Sequence, residues 1–506
     1  MTKIMLIKPA YETDAVWDTI RTSHPLGLWW IGSALKEEGH EVRLLDETVR
    51  NNGFDKKIIF SRKVIGGEIV GTPLDTSYEE FQKQKMKDFN LMSSKDFVDK
   101  YSAFRGDYVQ RNMVRTGNLV EETLEEVGKI NPDYVGIPIF ASCNYPSAMA
   151  LASSLKKEFP LVKIVMGGQH VTAQPLEILS HNFVDYVITG DAVTKFKELV
   201  SRRSLMRKFD GGTSNIDDFP LLDMDLMKEN VYPIKPTHTP DTNGRKSIDY
   251  MFSKGCFRDC EFCVAGRKEN AVSTIKLDKI DEQLQRFRDS GIEEIIVQDD
   301  AFLYKPNTGL KNYLSLMKNH GLYWQDNGGI EFEGLTQDVI NLFLEYQKGE
   351  GKINALYVPL NPRSGHQNES ALRDMRNRFS RNFSHINILR DSGIFLYTSE
   401  IIGYPGKPIE LMEEDITLHE ELVKQGYVSK SMTFVTSTLP GTELYDKYKQ
   451  YIVRPNDWAA YSNFVPQSTT PEVSNIREIE RITVERNQRM NKIQQSYSWG
   501  STFSNC

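Results

Sequence analysis

Three of the five cysteines in the chain lie within eight residues of one another. They are Cys256, Cys260 and Cys263, at the spacing C-x3-C-x2-C. Thiolates are soft ligands that suit iron–sulfur clusters and zinc. Three ligands leave one position of a tetrahedral or cubane site open, and an open position is where chemistry can take place. The spacing therefore predicts a reactive metal centre.

The residues alone leave other interpretations open. The three thiols could form a zinc site with His238 or another residue as the fourth ligand, or they could be buried thiols or disulfide partners. The chain has few cysteines, and those few are clustered. Such usage favours a reducing compartment, the cytoplasm, over a disulfide framework.

Composition limits the class of protein. The 506 residues allow roughly two to four domains. The chain carries 62 Lys and Arg against 69 Asp and Glu, a net charge of −7, which disfavours a nucleic-acid-binding role. We find no apolar stretch of about 18 residues and expect no membrane span. The N-terminal apolar run at 3–7 is too short for a signal peptide and fits a first strand.

Short apolar runs alternate with amphipathic stretches through the first 200 residues, except in a polar stretch at 50–115 that we expect to be a partly helical insertion. This alternation predicts a doubly wound (Rossmann- or flavodoxin-like) α/β domain with a parallel sheet. Ligands of such sheets bind at the carboxyl ends of the strands. The expected strands lie at 3–7, 41–45, 134–139, 163–166 and 184–188.

The alternation restarts after a Gly- and Pro-rich linker at 210–247. Six strand–helix units then follow between 248 and 445, and a mainly helical region at 446–506 completes the chain. We expect the first domain to cover 1–209. The six predicted strands lie at 248–253, 292–297, 329–332, 355–360, 394–402 and 430–435, and Asp278 is expected to cap a helix over 278–290.

The cysteine motif, with Phe262 before its third cysteine, and the six units that follow it resemble the radical S-adenosylmethionine (SAM) enzymes. The resemblance implies a partial (β/α)6 TIM-type barrel and a [4Fe-4S] cluster on the three cysteines, with SAM on the open iron. One departure is Asn-Pro-Arg-Ser-Gly at 361–365, where relatives often have Glu-Ser-Gly. The implied SAM contacts are Phe262, Asp299, Asp300, Glu400, Gly441 and Thr442.

Residues 3–200, apart from the insertion, resemble the cobalamin-binding domain found upstream of many radical SAM modules. None of the nine histidines follows an aspartate by two residues, so the lower axial ligand of the Asp-x-His-x-x-Gly motif is not offered. A degenerate domain, or one for another small molecule, stays open. The implied cobalamin contacts are Pro25, Leu26, Gly27, Ala141, Ser142, Asn144, Gly167, Gly168, Gln169, His170, Gly190 and Asp191.

The two resemblances together imply a cobalamin-dependent radical SAM enzyme of the class B methyltransferase type. Such an enzyme uses a 5′-deoxyadenosyl radical to take a hydrogen atom from an unactivated carbon, which then receives a methyl group from methylcobalamin. An external electron donor such as flavodoxin or ferredoxin is implied. We expect a small natural-product intermediate as substrate, with a peptide side chain as an alternative. Cyclisation or rearrangement with the same cofactors, and a non-catalytic iron–sulfur or corrinoid-binding role, stay open.

Overall fold

The computed structural model describes residues 1–16, 23–65, 68–102, 110–202, 206–232, 244–265, 272–304, 307–330, 332–359 and 383–496. The positions of His238, of the 361–365 departure and of the last ten residues lie outside these ranges. None of the described helices is long and apolar enough to cross a membrane.

Six described strands form a fully parallel sheet in the N-terminal domain. From edge to edge they are Lys208–Asp210, Tyr186–Thr189, Lys163–Gly167, Tyr134–Pro138, Lys3–Lys8 and Glu41–Asp46. The strand order reverses between Lys3–Lys8 and Tyr134–Pro138, which makes this a flavodoxin-like sheet with its ligand crevice at that point. The helices of the domain are Leu26–Glu37, Val120–Ile130, Tyr145–Glu158, Gln169–Ala173, Pro175–Ser180 and Ala192–Arg202.

Helices cover both faces of this sheet. Leu151 of one helix packs with Ile164 in one apolar cluster, whereas Trp29 and Phe196 pack with Leu6 in another. Consecutive strand residues are buried because parallel sheets are enclosed on both sides. The cluster that holds Trp29 continues into the helices of the next domain. The predicted doubly wound fold is confirmed.

The region predicted as a partly helical insertion also contains a sheet, which the sequence analysis missed. Its antiparallel strands are, in spatial order, Tyr11–Asp14, Gln110–Thr116, Lys57–Ile65 and Glu68–Pro73. The helices Tyr78–Leu91 and Ser94–Tyr101 and the 3-10 turn Arg50–Asp55 complete it. Charged residues interrupt the apolar alternation of these strands because the small sheet is only partly buried, so the strand pattern was weak.

Six described strands of the central domain pair in parallel, each next to its successor in sequence. This order, with helices between the strands, is the predicted partial barrel. The barrel strands, numbered first to sixth, are Ser247–Tyr250, Glu294–Val297, Tyr323–Asp326, Ile353–Tyr357, Phe395–Ile402 and Lys430–Val435. The helices are Leu277–Asp289, Asn307–Asn319, Gln337–Gln347, one through 383–391, Ile409–Lys424 and Glu443–Tyr448.

The third barrel strand was predicted at 329–332, and this prediction is wrong. The strand is Tyr323–Asp326, which pairs residue by residue with Glu294–Val297. A Cβ atom on Gly328 would lie 2.0 Å from the Asp299 carbonyl oxygen, so the glycines mark a close turn after the strand. Asp278 also does not cap its helix, because Leu277–Asp289 begins after Lys276.

The C-terminal region contains the short turns Lys449–Tyr451 and Trp458–Ala460 and the predicted long helix Ile476–Ser496, here called the C-terminal helix. Its residues Ile479 and Ile482 pack against Ile402 and Val435 of the fifth and sixth barrel strands. The helix therefore covers the outer face of the barrel there.

Candidate cofactor-binding site at the facing sheet edges

Cys256, Cys260 and Cys263 lie on the segment 251–265 that follows the first barrel strand, here called the cysteine loop, and its Ser253–Lys254 pairs with Ser273–Thr274. All three are partly exposed thiols, and the Cys263 N–H donates to the Cys260 carbonyl at 3.0 Å. Within the described residues no three His, Cys, Asp or Glu side chains are grouped to hold a single metal ion. Zinc gathers its ligands around one centre, whereas a cubane cluster spreads its thiolates over separate irons. The three partly exposed thiols on one loop are accessible to a cluster.

The acidic run after the second barrel strand holds the cysteine loop. Asp299 is fully buried, and its Oδ1 accepts the Phe252 N–H at 2.7 Å while Oδ2 accepts the Ser253 hydroxyl. Asp300 is exposed and accepts the Gly255 N–H at 2.8 Å. Although the residue as a whole is exposed, its carboxyl group is partly enclosed by the protein, and this burial raises the pKa of Asp300 while the bond from Gly255 opposes that shift. Both carboxylates thus brace the chain that enters the loop.

The end of the cysteine loop, at Glu261 and Phe262, contacts the segment that follows Gly441 and Thr442. Phe262 lies 6.2 Å from Tyr404, ring centroid to centroid, in a perpendicular arrangement. The Leu444 N–H donates to the Glu261 carbonyl at 2.9 Å. Thr442 is buried and caps the helix Glu443–Tyr448, so its hydroxyl is committed to the protein backbone. The helix that begins directly after the predicted Pro-Gly-Thr segment therefore contacts the end of the cysteine loop.

Glu400 does not lie with the other predicted SAM contacts. It is fully buried and bonded to Arg486 of the C-terminal helix, with Nη2 to Oε2 at 2.9 Å. Ser431 also donates to it at 2.9 Å. The next residue, Ile401, packs on the opposite side with Phe262. Because strand side chains alternate between faces, Glu400 points away from the cysteine loop, and its predicted contact with SAM is not supported.

The predicted cobalamin contacts lie at the carboxyl edge of the N-terminal sheet. The Ser142 hydroxyl lies 2.9 Å from His170 Nδ1, and Asn144 accepts the Ala141 N–H at 3.2 Å. Asp191, beyond the strand Tyr186–Thr189, is paired with Lys254 of the cysteine loop. The edge also carries Gly167, Gly168, Gln169 and Gly190. Pro25, Leu26 and Gly27 lie at the start of the helix Leu26–Glu37.

An aromatic group from the C-terminal region lies over this edge. The Trp458 ring contacts His170 at 4.7 Å between centroids, and its indole N–H donates to Glu177 at 3.0 Å. Tyr145 packs on the same histidine, with 5.3 Å between the ring centroids. Nothing in the spacing of Trp458 marked it as a site residue, because its partners are about 300 residues away in the chain.

A second polar junction between the two domains was also missed by the sequence analysis. Asp249 of the first barrel strand accepts the His24 N–H at 2.8 Å, and His24 Nδ1 lies 2.6 Å from the same oxygen. Tyr232 stacks on His24 at 3.9 Å and donates to Asp46 at 2.7 Å. Asp46 also pairs with Lys8, at 3.0 Å. Only the fold brings these distant residues together.

The carboxyl edge of the N-terminal sheet fits a large, partly apolar ligand. Phe140 and Leu176 are 72% and 77% exposed there, next to polar Ser142 and the carboxylate of Glu177. Both residues lie in segments that follow strands of this sheet, on the side where ligands of parallel sheets bind. A corrin ring, apolar on its faces and edged by amides, matches that combination.

Two protein-family models match the chain. The model described as a B12 binding domain matches residues 103–200, and the model of the radical SAM superfamily matches residues 250–419. The order of the two matches is the order inferred from the motifs. Cobalamin, SAM and an iron–sulfur cluster are the cofactors of these domains.

Three curated relatives carry methyltransferase or methylase names. An uncharacterized methyltransferase of Pyrococcus horikoshii is 24% identical over 67% of this chain and 74% of its own. Cytidylyl-2-hydroxyethylphosphonate methyltransferase of Streptomyces wedmorensis is 24% identical over 87% of this chain and 80% of its own. Hopanoid C-3 methylase of Methylococcus capsulatus is 29% identical over 36% of this chain and 37% of its own.

Solved structures share the fold. The cobalamin-dependent SAM radical enzyme OxsB aligns with a TM-score of 0.59 and 11% identity over 94% of this chain and 66% of its own. The radical SAM methyltransferase TsrM of Kitasatospora setae, solved with cobalamin and a [4Fe-4S] cluster, aligns with a TM-score of 0.50 and 12% identity over 89% of this chain and 75% of its own. These likenesses support the architecture of both domains together.

Proposed function

We propose that this chain, which belongs to the cobalamin-dependent radical SAM enzymes, transfers a methyl group from SAM by way of cobalamin to an unactivated carbon. The substrate in this proposal is a small natural-product intermediate. By its name, the Streptomyces wedmorensis relative methylates a cytidylyl phosphonate, and the Methylococcus relative methylates a hopanoid. Both names are consistent with small molecules as substrates.

The observation that carries the proposal is the contact between the cysteine loop and the carboxyl edge of the N-terminal sheet. Lys254 of the loop pairs with Asp191 at that edge. A group can pass between two cofactors and one substrate only when the protein holds all three in a fixed geometry. This contact between the two domains supports methyl transfer between their cofactors rather than two independent binding domains.

The residues of the chain would then act mainly by holding and shielding. Cys256, Cys260 and Cys263 would bind the cluster, and Asp299 keeps the loop entrance in place through its bonds to Phe252 and Ser253. A cluster with SAM supplies carbon-radical chemistry and cobalamin supplies a transferable methyl group when they are bound. Phe262 packs edge-on against Tyr404 on one side of the loop, where the two rings would shield the cluster.

The test is anaerobic reconstitution with iron, sulfide, hydroxocobalamin, SAM and a strong reductant. We expect about four irons per chain, stoichiometric cobalamin, and formation of both 5′-deoxyadenosine and S-adenosylhomocysteine. Cys256→Ala should lose the iron and the 5′-deoxyadenosine. Cys143→Ser is the matched control, since Cys143 lies outside the motif, and it should keep both.

The products distinguish the alternatives. Formation of 5′-deoxyadenosine without S-adenosylhomocysteine would favour a cyclase or rearrangement enzyme. Binding of iron and corrinoid without either product would favour a non-catalytic protein and refute the proposal. When both products form, SAM carrying a deuterated methyl group identifies the substrate by the mass that it gains.

A further inference from the structure

Two contacts join the first barrel strand and the start of the cysteine loop to the N-terminal domain. At the end near the thiols, Lys254 pairs with Asp191. Earlier in the same segment, Asp249 binds both the backbone N–H and the ring of His24. Cys256, the first predicted cluster ligand, is two residues after Lys254. The position of the loop therefore depends on the N-terminal domain.

Asp191 is committed to this contact. One carboxylate oxygen faces the Lys254 ammonium, and the other accepts the Ser214 N–H. Its side chain is 15% exposed and that of Lys254 is 28% exposed. The preceding Gly190 has a φ of +66°, and a Cβ atom there would lie 2.4 Å from the Gly212 carbonyl oxygen. This close approach fixes the loop that presents the carboxylate.

The second tie reaches the crevice of the N-terminal sheet. His24 stacks on Tyr232, Tyr232 donates to Asp46, and Asp46 pairs with Lys8. Lys8 and Asp46 are the last residues of two adjacent strands. The first barrel strand is thus joined to the same edge of the N-terminal sheet at which cobalamin is expected to bind.

We propose that Lys254 and Asp191 are positioning residues that set the place and the electrostatic environment of the cluster. The inference rests on the proposed function, because it takes the three thiols as cluster ligands. It differs from the expectation that Asp191 contacts cobalamin. A reduced cluster carries one more negative charge than an oxidised one, so a nearby cation favours reduction and a nearby anion opposes it. In the intact pair the two charges offset each other.

Charge removal on either side of the pair should therefore shift the midpoint potential of the cluster in opposite directions. Asp191→Asn removes one of the carboxylates near the Lys254 cation, another being Asp300, and should make the potential more positive. Lys254→Gln leaves the Asp191 anion and should make it more negative. The double variant should return close to the wild-type value. The measurement is an anaerobic redox titration of the reconstituted full chain, followed by electron paramagnetic resonance without substrate.

Asp217→Asn is the matched control. Asp217 pairs with Lys276 at 3.1 Å and also joins the linker to the barrel, but its bonds are to the start of the helix Leu277–Asp289. A change there removes one charge of an inter-element ion pair without touching the cysteine loop. Its midpoint potential should equal that of the wild type.

Shifts of the same sign, or no shift in chains with full iron content, would overturn the inference and leave the proposed function intact. If Asp191→Asn weakens cobalamin binding while neither variant moves the potential, Asp191 is a corrin contact and the inference is wrong. If Asp191→Asn does not fold, the sign of the Lys254→Gln shift decides alone. A wild-type chain that takes up no cluster would instead refute the proposed function.

Discussion

His170 is buried beneath Trp458, and its Nε2 atom has no hydrogen-bond partner within the described residues. The other ring nitrogen faces the Ser142 hydroxyl. Removal from water disfavours the charged imidazolium and lowers the pKa of His170 to about 4 from an ordinary value of 6.5. The ring is therefore neutral at physiological pH, which suits its place between two aromatic rings.

The depressed pKa of His170 predicts a loss of stability in mild acid. The unfolded chain takes up this proton near pH 6.5 and the folded chain near pH 4. The group therefore costs no stability above pH 6.5, and it lowers the free energy of unfolding as the pH falls from 6.5 towards 4. Between pH 7 and 5 the free energy of unfolding should fall by about 2 kcal/mol from this group. His170→Gln should remove that part of the pH dependence in urea unfolding followed by tryptophan fluorescence.

His40→Gln is the control for this pH dependence. His40 lies at the turn before the strand Glu41–Asp46, away from the aromatic group. Its replacement should leave the difference between pH 7 and pH 5 as in the wild type. Identical pH dependence in the wild type and in His170→Gln would contradict the burial argument.

Glu400 and Arg486 join the fifth barrel strand to the C-terminal helix. Both side chains are almost fully enclosed, and Arg486 also donates to Ser431 at 2.7 Å. His419 lies 3.6 Å from Glu400. Burial lowers the pKa of His419, but the carboxylates of Glu400 and Asp415 outweigh it, so that the net shift is upward. The helix is therefore held by a charged cluster as well as by its apolar residues.

Removal of one partner from this buried pair should be much worse than removal of both charges. Arg486→Met leaves a desolvated carboxylate and should lower the free energy of unfolding by about 3–5 kcal/mol. Glu400→Gln in the same chain should recover most of that loss, since a neutral amide needs no cation. A double-mutant cycle in urea measures the coupling. Additive effects of the two changes would contradict the pairing.

The sequence predicted most elements of the two large domains but not the contacts between them. Apolar runs such as 3–7 and 134–139 predicted strands because strands buried on both faces of a parallel sheet are apolar at consecutive positions. The third barrel strand was misplaced because Gln325 and Asp326 interrupt its apolar run. The three thiols were recognisable because they lie within eight residues, and the acidic pair Asp299 and Asp300 was recognised through the family resemblance. The position of Glu400 beside Arg486 was not predicted because sequence does not say which face of a strand points inward.

On the scale of the whole molecule, the insertion and the C-terminal helix hold each other although they are almost 400 residues apart. Val484 packs with Phe97 and Val98 in one small apolar cluster. Around it, the Gln488 amide donates to the Phe89 carbonyl at 2.6 Å, and the Ser102 hydroxyl bonds to Glu480. The insertion is thus fixed to the barrel through this helix, and not only to the N-terminal domain from which it emerges.

This attachment can be broken at a single position. Val484 is 1% exposed, so Val484→Asp would bury an unpaired carboxylate at the cluster, which should destabilise it by several kcal/mol. We expect the helices Tyr78–Leu91 and Ser94–Tyr101 to separate from the C-terminal helix and to be cut faster in limited proteolysis. Lys492→Asp, an exposed change on the same helix, should leave the cleavage rate unchanged. Equal rates for both variants would mean that the insertion is held by its own sheet, independently of the C-terminal helix.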